Sequence, residues 1–119
     1  MSEIRLGAVE SKFADIIWNN EPLRPVELEK LAEAELNWKR TTTLTILKRL
    51  CERGIFHNKD RIITSLISRE EFYALQSEKF VNDTFEGSLP AFLTAFGSRK
   101  KLSDKEVEEL KKVIDSMRR

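Results

Sequence analysis

The chain has 119 residues, 40% hydrophobic and 34% charged, with a net charge of +1 and a single cysteine. That length holds one domain plus an appendage and excludes a large enzyme, while one thiol excludes an intrachain disulfide and makes the cytoplasm the default location. No apolar run approaches the ~20 residues needed to span a bilayer, and the amino terminus lacks a secretory signal pattern, so no membrane association is expected.

Residues 1–36 are acidic, with four cations against eight acids. Here Glu21-Pro22-Leu23-Arg24-Pro25 reads as a turn that leads Pro25 into a first helical position, where its missing N–H costs nothing. Val26, Leu28, Leu31 and Ala32 follow at the spacing of a short amphipathic helix reaching about Glu35, and Asn37 suits the turn after it.

From Asn37 to Leu50 the chain splits into two helical faces. Thr43, Ile46, Leu47 and Leu50 form the stripe expected to be buried. Thr41, Leu44, Thr45 and Lys48 lie opposite, flanked by Thr42 and Arg49. Short hydroxyls and long cations on one surface suit a helix entering a DNA major groove: threonine reaches a base edge or a thymine methyl, and Lys or Arg reaches guanine or phosphate. Three consecutive threonines are weaker helix formers than Ala or Glu, so local propensity does not account for them. The plainer reading is an amphipathic helix with a cationic exposed side. The preceding short helix and tight turn favour the first, because together they make a helix-turn-helix.

Gly54 after Arg53 fits a helix-ending glycine with cations in the last turn. Ile55-Phe56 and Ile62-Ile63-Thr64 are β-prone runs on either side of His57-Asn58-Lys59-Asp60-Arg61, a hairpin or small wing. Positive charge gathers here, with seven cations against two acids in residues 37–61. Lys39, Arg40 and Arg49, with Lys59 and Arg61 on the wing, are expected to neutralise phosphates; Thr41, Thr42, Leu44, Thr45 and Lys48 are expected to face base edges.

Ser68 and Glu71 form a capping-box pattern before a helix carrying Phe72, Leu75, Phe80, Val81 and Phe85, which Gly87 would end. Ser88-Leu89-Pro90 opens a second helix bearing Phe92, Leu93 and Phe96 and expected to break at Gly97. Ser103 with Glu106 is a further capping box, before a stripe of Val107, Leu110, Ile114 and Met117. So short a segment rarely folds unaided, yet it holds five of the seven phenylalanines. A second copy of itself would cover that apolar surplus, and two-fold symmetry suits a palindromic DNA site. Docking back on the rest of the same chain is the alternative.

Other chemistry is thin. Cys51 reads as a small core residue, and His57 at the wing as a phosphate contact or no contact. No metal-ligand spacing, glycine-rich phosphate loop or catalytic Ser/His or Cys/His grouping occurs, so neither cofactor, metal nor enzymatic activity is expected. Trp18 and Trp38 read as packing anchors.

The order Leu6 to Trp18, then Trp38-Lys39, Thr42, Thr45, Leu47, Arg49-Leu50 and Gly54 resembles the penicillinase-repressor (BlaI/MecI-type) family of winged-helix regulators. Glu10 and Trp18 match its first helix. Ser68-Arg69-Glu70-Glu71-Phe72 is similar to its exit from the wing; Phe80, Phe85-Glu86-Gly87-Ser88-Leu89 and Leu102 to Leu110 are similar to its dimerisation helices. The resemblance runs from about Leu6 to Ile114. The wing departs from it by being about three residues shorter, which removes groups that could grip the DNA backbone. Leu44 stands where a polar or cationic residue is common, to meet a thymine methyl or as a tolerated change. Copper-responsive relatives carry a cysteine-rich tail, which Met117-Arg118-Arg119 does not resemble, so copper sensing by that route is not expected. Antibiotic-responsive members are inactivated by proteolysis at an Asn-Phe bond; Ala95-Phe96 matches its position, keeping the aromatic and losing Asn.

The expectation is therefore a mainly α chain with a small β-hairpin wing: a winged helix-turn-helix over residues 1–67 and a helical dimerisation domain over 68–119. The implied function is a homodimeric repressor of double-stranded operator DNA, with Phe80, Phe85, Leu89, Phe92, Leu93, Phe96, Val107, Leu110 and Ile114 at the dimer interface and a regulatory protease acting at Ala95-Phe96. The rival is a winged-helix adaptor that binds protein without reading DNA sequence; the short wing and near-neutral charge favour it.

Overall fold

The computed structural model describes residues 6–118. Its elements run α1 (Ala8–Asn20), α2 (Pro25–Leu36), α3 (Arg40–Glu52), β1 (Phe56–Lys59), β2 (Ile62–Ser65), α4 (Arg69–Phe85), α5 (Leu89–Arg99) and α6 (Asp104–Ser116). This is the expected fold class, mainly α with one antiparallel hairpin. Two compact units divide within α4: Met1–Ser77 and Glu78–Arg119.

Local chemistry sets the ends of the first unit's helices. The Glu10 carboxylate turns back to accept the Gly7 N–H at 3.3 Å at the start of α1. Glu27 does the same for the Arg24 N–H at 2.7 Å, and Pro25 opens α2 as expected. Asn37 ends α2 in the left-handed region (φ 57°), donating its N–H to the Glu33 carbonyl at 3.0 Å. Gly54, at φ 79°, closes α3 with a Schellman pair: Ile55 N–H to Leu50 carbonyl at 3.2 Å and Gly54 N–H to Cys51 carbonyl at 3.0 Å.

The core of this unit gathers Phe13, Ala14, Ile16 and Ile17 from α1, Leu28 and Ala32 from α2, and Leu47 and Leu50 from α3, with Ile55, Phe56, Ile63 and Phe72. Of the apolar positions expected on α2, Val26 is exposed and Leu31 half-buried, because only one side of this short helix meets the core. Thr43 is fully buried, and its hydroxyl is satisfied by donating to the Lys39 carbonyl one turn earlier at 3.1 Å. Ile46, expected in the same stripe, is half-buried.

Both tryptophans pack as anticipated. Trp18 contacts Phe56, Phe72 and Tyr73 at centroid distances of 5.1, 5.7 and 6.0 Å, and its indole N–H donates to the Ile67 carbonyl at 3.0 Å. Trp38 meets Phe13 at 5.0 Å. A 2.7 Å ion pair between Arg69 and Asp15 joins the start of α4 to α1, with the Arg69 guanidinium 4.9 Å from the centre of the Tyr73 ring.

The hairpin is tighter than its sequence suggests. His57, Asn58 and Lys59 belong to β1, pairing with Thr64, Ile63 and Ile62. Only Asp60 and Arg61 turn the chain, both left-handed at φ 54° and 62°, the signature of a type I′ turn. A single bridge adds Leu23 beside Ile63: the two exchange N–H···O bonds of 2.8 and 3.3 Å. Glu21 braces this edge by accepting the Ser65 N–H at 2.7 Å and its hydroxyl at 2.9 Å.

In the second unit, capping follows the sequence: the Ser88 hydroxyl accepts the Ala91 N–H at 3.1 Å, and Ser103 and Glu106 form a reciprocal box. Helix α5 does not break at Gly97 but runs on to Arg99. A mid-helix glycine costs only about 1 kcal/mol relative to alanine, less than neighbouring turns recover. Phe80, Phe85 and Phe92 meet edge-on at 5.6–6.1 Å, and Phe96 extends the chain at 6.2 Å from Phe92. No described residue of this unit is buried.

Candidate nucleic-acid interface

Helix α3 presents the expected polar face outward. Thr41, Thr42, Thr45, Lys48 and Arg49 are exposed, as are Lys39 and Arg40 at its start. Leu44 is half-buried, its exposed side lining a shallow surface concavity with Arg40, Thr41, Thr45 and Lys48. Four of the five side chains assigned to base edges therefore share one continuous surface, and Thr42 stands beside it. Threonine pays little side-chain entropy when ordered, and its hydroxyl both donates and accepts.

The cations differ in their freedom. Arg40 pairs with Glu29 of α2 at 3.3 Å, and Arg49 with Glu10 of α1 at 3.4 Å. Both pairs are solvent-facing on the arginine side, with 76% and 51% of those side chains exposed, so each holds its arginine only weakly. Lys39, Lys48, Lys59 and Arg61 make no ion pair among the described residues. Lys59 and Arg61 sit exposed at the hairpin tip. His57 makes a 3.0 Å hydrogen bond with Thr64 across the strands through its Nε2, an ordinary cross-strand contact. Burial pushes the Cys51 thiol above its ordinary pKa, as suits a half-buried packing residue.

The residues assigned to dimerisation belong to the second unit. Phe80, Leu89, Phe96 and Ile114 are exposed, and Phe85, Phe92, Leu93, Val107 and Leu110 are half-buried. Phe92, Leu93, Phe96, Leu102, Leu110 and Val113 line an open apolar cleft between α5 and α6. Ala95 and Phe96 are both exposed on α5. Arg24, at the edge of the α2 start, faces the same region as Arg40 and Arg61 and has no counterpart among the sequence-derived candidates. Its sequence signal is only a cation before a proline.

A helix-turn-helix whose second helix is outward and polar, followed by a short hairpin, defines a winged helix-turn-helix protein. The penicillinase repressor profile matches residues 6–116, and the chain belongs to that family, whose members are DNA-binding regulators and not enzymes. The methicillin resistance regulatory protein MecI of Staphylococcus aureus (strain Mu50 / ATCC 700699) is 25% identical over 114 residues, covering 92% of this chain and 93% of the relative. The penicillinase repressor of Bacillus licheniformis is 24% identical over 115 residues, covering 93% and 90%. Among solved structures, the monomeric form of Bacillus licheniformis BlaI, determined in solution with the blaP half-operator, superposes with a TM-score of 0.50 at 24% identity. It covers 60% of this chain and 93% of that one, and supports the winged-helix fold. No helix among the described residues is long and apolar enough to cross a membrane.

Proposed function

We propose that the chain is a cytoplasmic, homodimeric transcriptional repressor that reads a palindromic operator in double-stranded DNA through α3 and grips its backbone with the wing. The outward face of Thr41, Thr45 and Lys48 carries this reading, because hydroxyls and an ammonium with no partner among the described residues suit base edges. The dimer rests on the second unit: with no described residue buried there, its phenylalanines and the α6 stripe need a cover, and a symmetric copy supplies one. Residues 68–119 serve that role in this reading, and 1–67 the DNA.

Repression is relieved by a regulatory protease cutting Ala95–Phe96. A protease needs extended backbone, so α5 must open locally. A helix with no fully buried residue in its own chain opens at low cost once the dimer dissociates, and a cut there removes α6 from the aromatic cluster.

Selection of duplexes from a random pool, followed by gel shift, tests the reading. Thr45→Ala is expected to change preference by ~1–3 kcal/mol at one base position and leave the others unaltered. Equal losses on selected and random duplex would remove Thr45 from the reading set. No enrichment from the pool, with the chain instead retaining a protein partner, would replace the repressor by the adaptor.

A further inference from the structure

We infer that the groove at the start of α2 binds a DNA backbone phosphate, held by Arg24 together with Arg40 and Arg61. This rests on the proposed DNA reading and extends it to a residue outside the expected set. The three arginines come from separate places in the chain: the turn before α2, the first residue of α3 and the hairpin turn. They nevertheless line one groove, with Pro25, Val26 and Glu29 completing it.

The fold itself brings them together. Leu23 and Ile63 exchange both backbone hydrogen bonds, which fixes Arg24, next to Leu23, beside the strand that leaves Arg61. The two-residue turn keeps Arg61 close to that bridge, where a longer wing would carry its tip away. The short wing thus exchanges reach for a three-arginine cluster.

The guanidiniums are available for an anion. Arg24 is 66% exposed, and its Nε stands 3.7 Å from Glu27 Oε1, an oxygen already engaged by the Arg24 backbone N–H at 2.7 Å. Arg40 meets Glu29 at 3.3 Å while 76% exposed, and Arg61 has no ion-pair partner among the described residues. Exposed pairs of this kind contribute ~0–1 kcal/mol each, so little opposes the exchange of a carboxylate for a phosphate. Planar forks of N–H donors match phosphate oxygens. The first residues of α2, Pro25 and Val26, add the small positive potential of a helix start. The start of α3 and the wing turn border this groove, so a duplex seated on α3 carries its backbone past all three arginines.

Fluorescence anisotropy with the full chain tests this, using a random-sequence duplex and one selected from a pool, each over a series of NaCl concentrations. Arg24→Gln is expected to reduce the slope of log K against log salt by about one on both duplexes, with base preference unchanged, and Arg24→Lys to restore it. Across a fourfold rise in salt, the wild type then loses ~3.5 times more affinity than Arg24→Gln. A wild-type slope for Arg24→Gln, with wild-type protein binding DNA and Thr45→Ala shifting preference, overturns this site alone. Wild-type protein that binds neither duplex at low salt overturns the DNA reading and this site together.

Discussion

Ile114→Asp probes the symmetric assembly proposed above for operator binding. Ile114 lies on α6 and is 41% exposed within its own chain. Burying an isoleucine fully stabilises by about 1.5–3 kcal/mol, so covering the remaining 41% contributes about 0.6–1.2 kcal/mol. An isologous interface contains the position twice, which brings the apolar loss to about 1.2–2.4 kcal/mol. Each aspartate must also shed water on association, costing per copy no less than a neutral polar group does, about 1–3 kcal/mol. The sum, roughly 3–8 kcal/mol, predicts that the dimer dissociation constant rises at least ~100-fold. Because α6 buries no residue within its own chain, helix content should survive, and circular dichroism checks that. Sedimentation equilibrium over a concentration series measures the effect. A variant that dimerises as tightly as wild type would place the apolar stripe outside the interface, and a wild type that stays monomeric throughout would end the symmetric account.

Three further perturbations test the winged unit. Trp18→Phe keeps an aromatic body but leaves the Ile67 carbonyl without its 3.0 Å donor, and should lower stability by ~1–3 kcal/mol in urea unfolding followed by far-ultraviolet circular dichroism; an unchanged midpoint would show that water replaces the indole. Arg61→Gly should act with opposite signs on two properties: relief of the left-handed strain stabilises the fold by about 1–2 kcal/mol, while loss of the charge weakens binding to every duplex. A variant that is less stable than wild type would contradict the turn assignment. Because the Cys51 pKa is raised in the fold, the folded state holds its proton where the unfolded chain has released it. That contribution is present below the ordinary thiol pKa and is lost as pH rises above it, so Cys51→Ala should flatten the alkaline fall in stability. A parallel fall in both proteins would assign it to other groups.

Much of the fold was legible because it rests on local rules. Pro25 and Asn37 bracket α2, Gly54 closes α3, and Ser88 and Ser103 begin α5 and α6, each for a reason confined to a few neighbouring atoms. The outward face of α3 followed from helical period alone. Misreadings arose where a local rule met a competing context. Gly97 was expected to stop α5, but a single glycine does not outweigh a helix in progress. The residues from His57 to Lys59 lack strong strand propensity, yet pairing with Thr64, Ile63 and Ile62 makes them a strand.

Most helix limits, capping, the threonine face and the surplus of phenylalanines thus came from the sequence by itself, because hydrophobic period and short-range hydrogen bonding act over a turn or two. Which charges meet was decided only by the tertiary structure. Glu10 and Glu29 hold Arg49 and Arg40 from other helices, and the Leu23–Ile63 bridge brings Arg24 and Arg61 to one groove across nearly forty residues of chain. Long-range pairing of this kind leaves no periodic trace, since Coulomb forces act through space and the spacing of charges along the backbone does not record it.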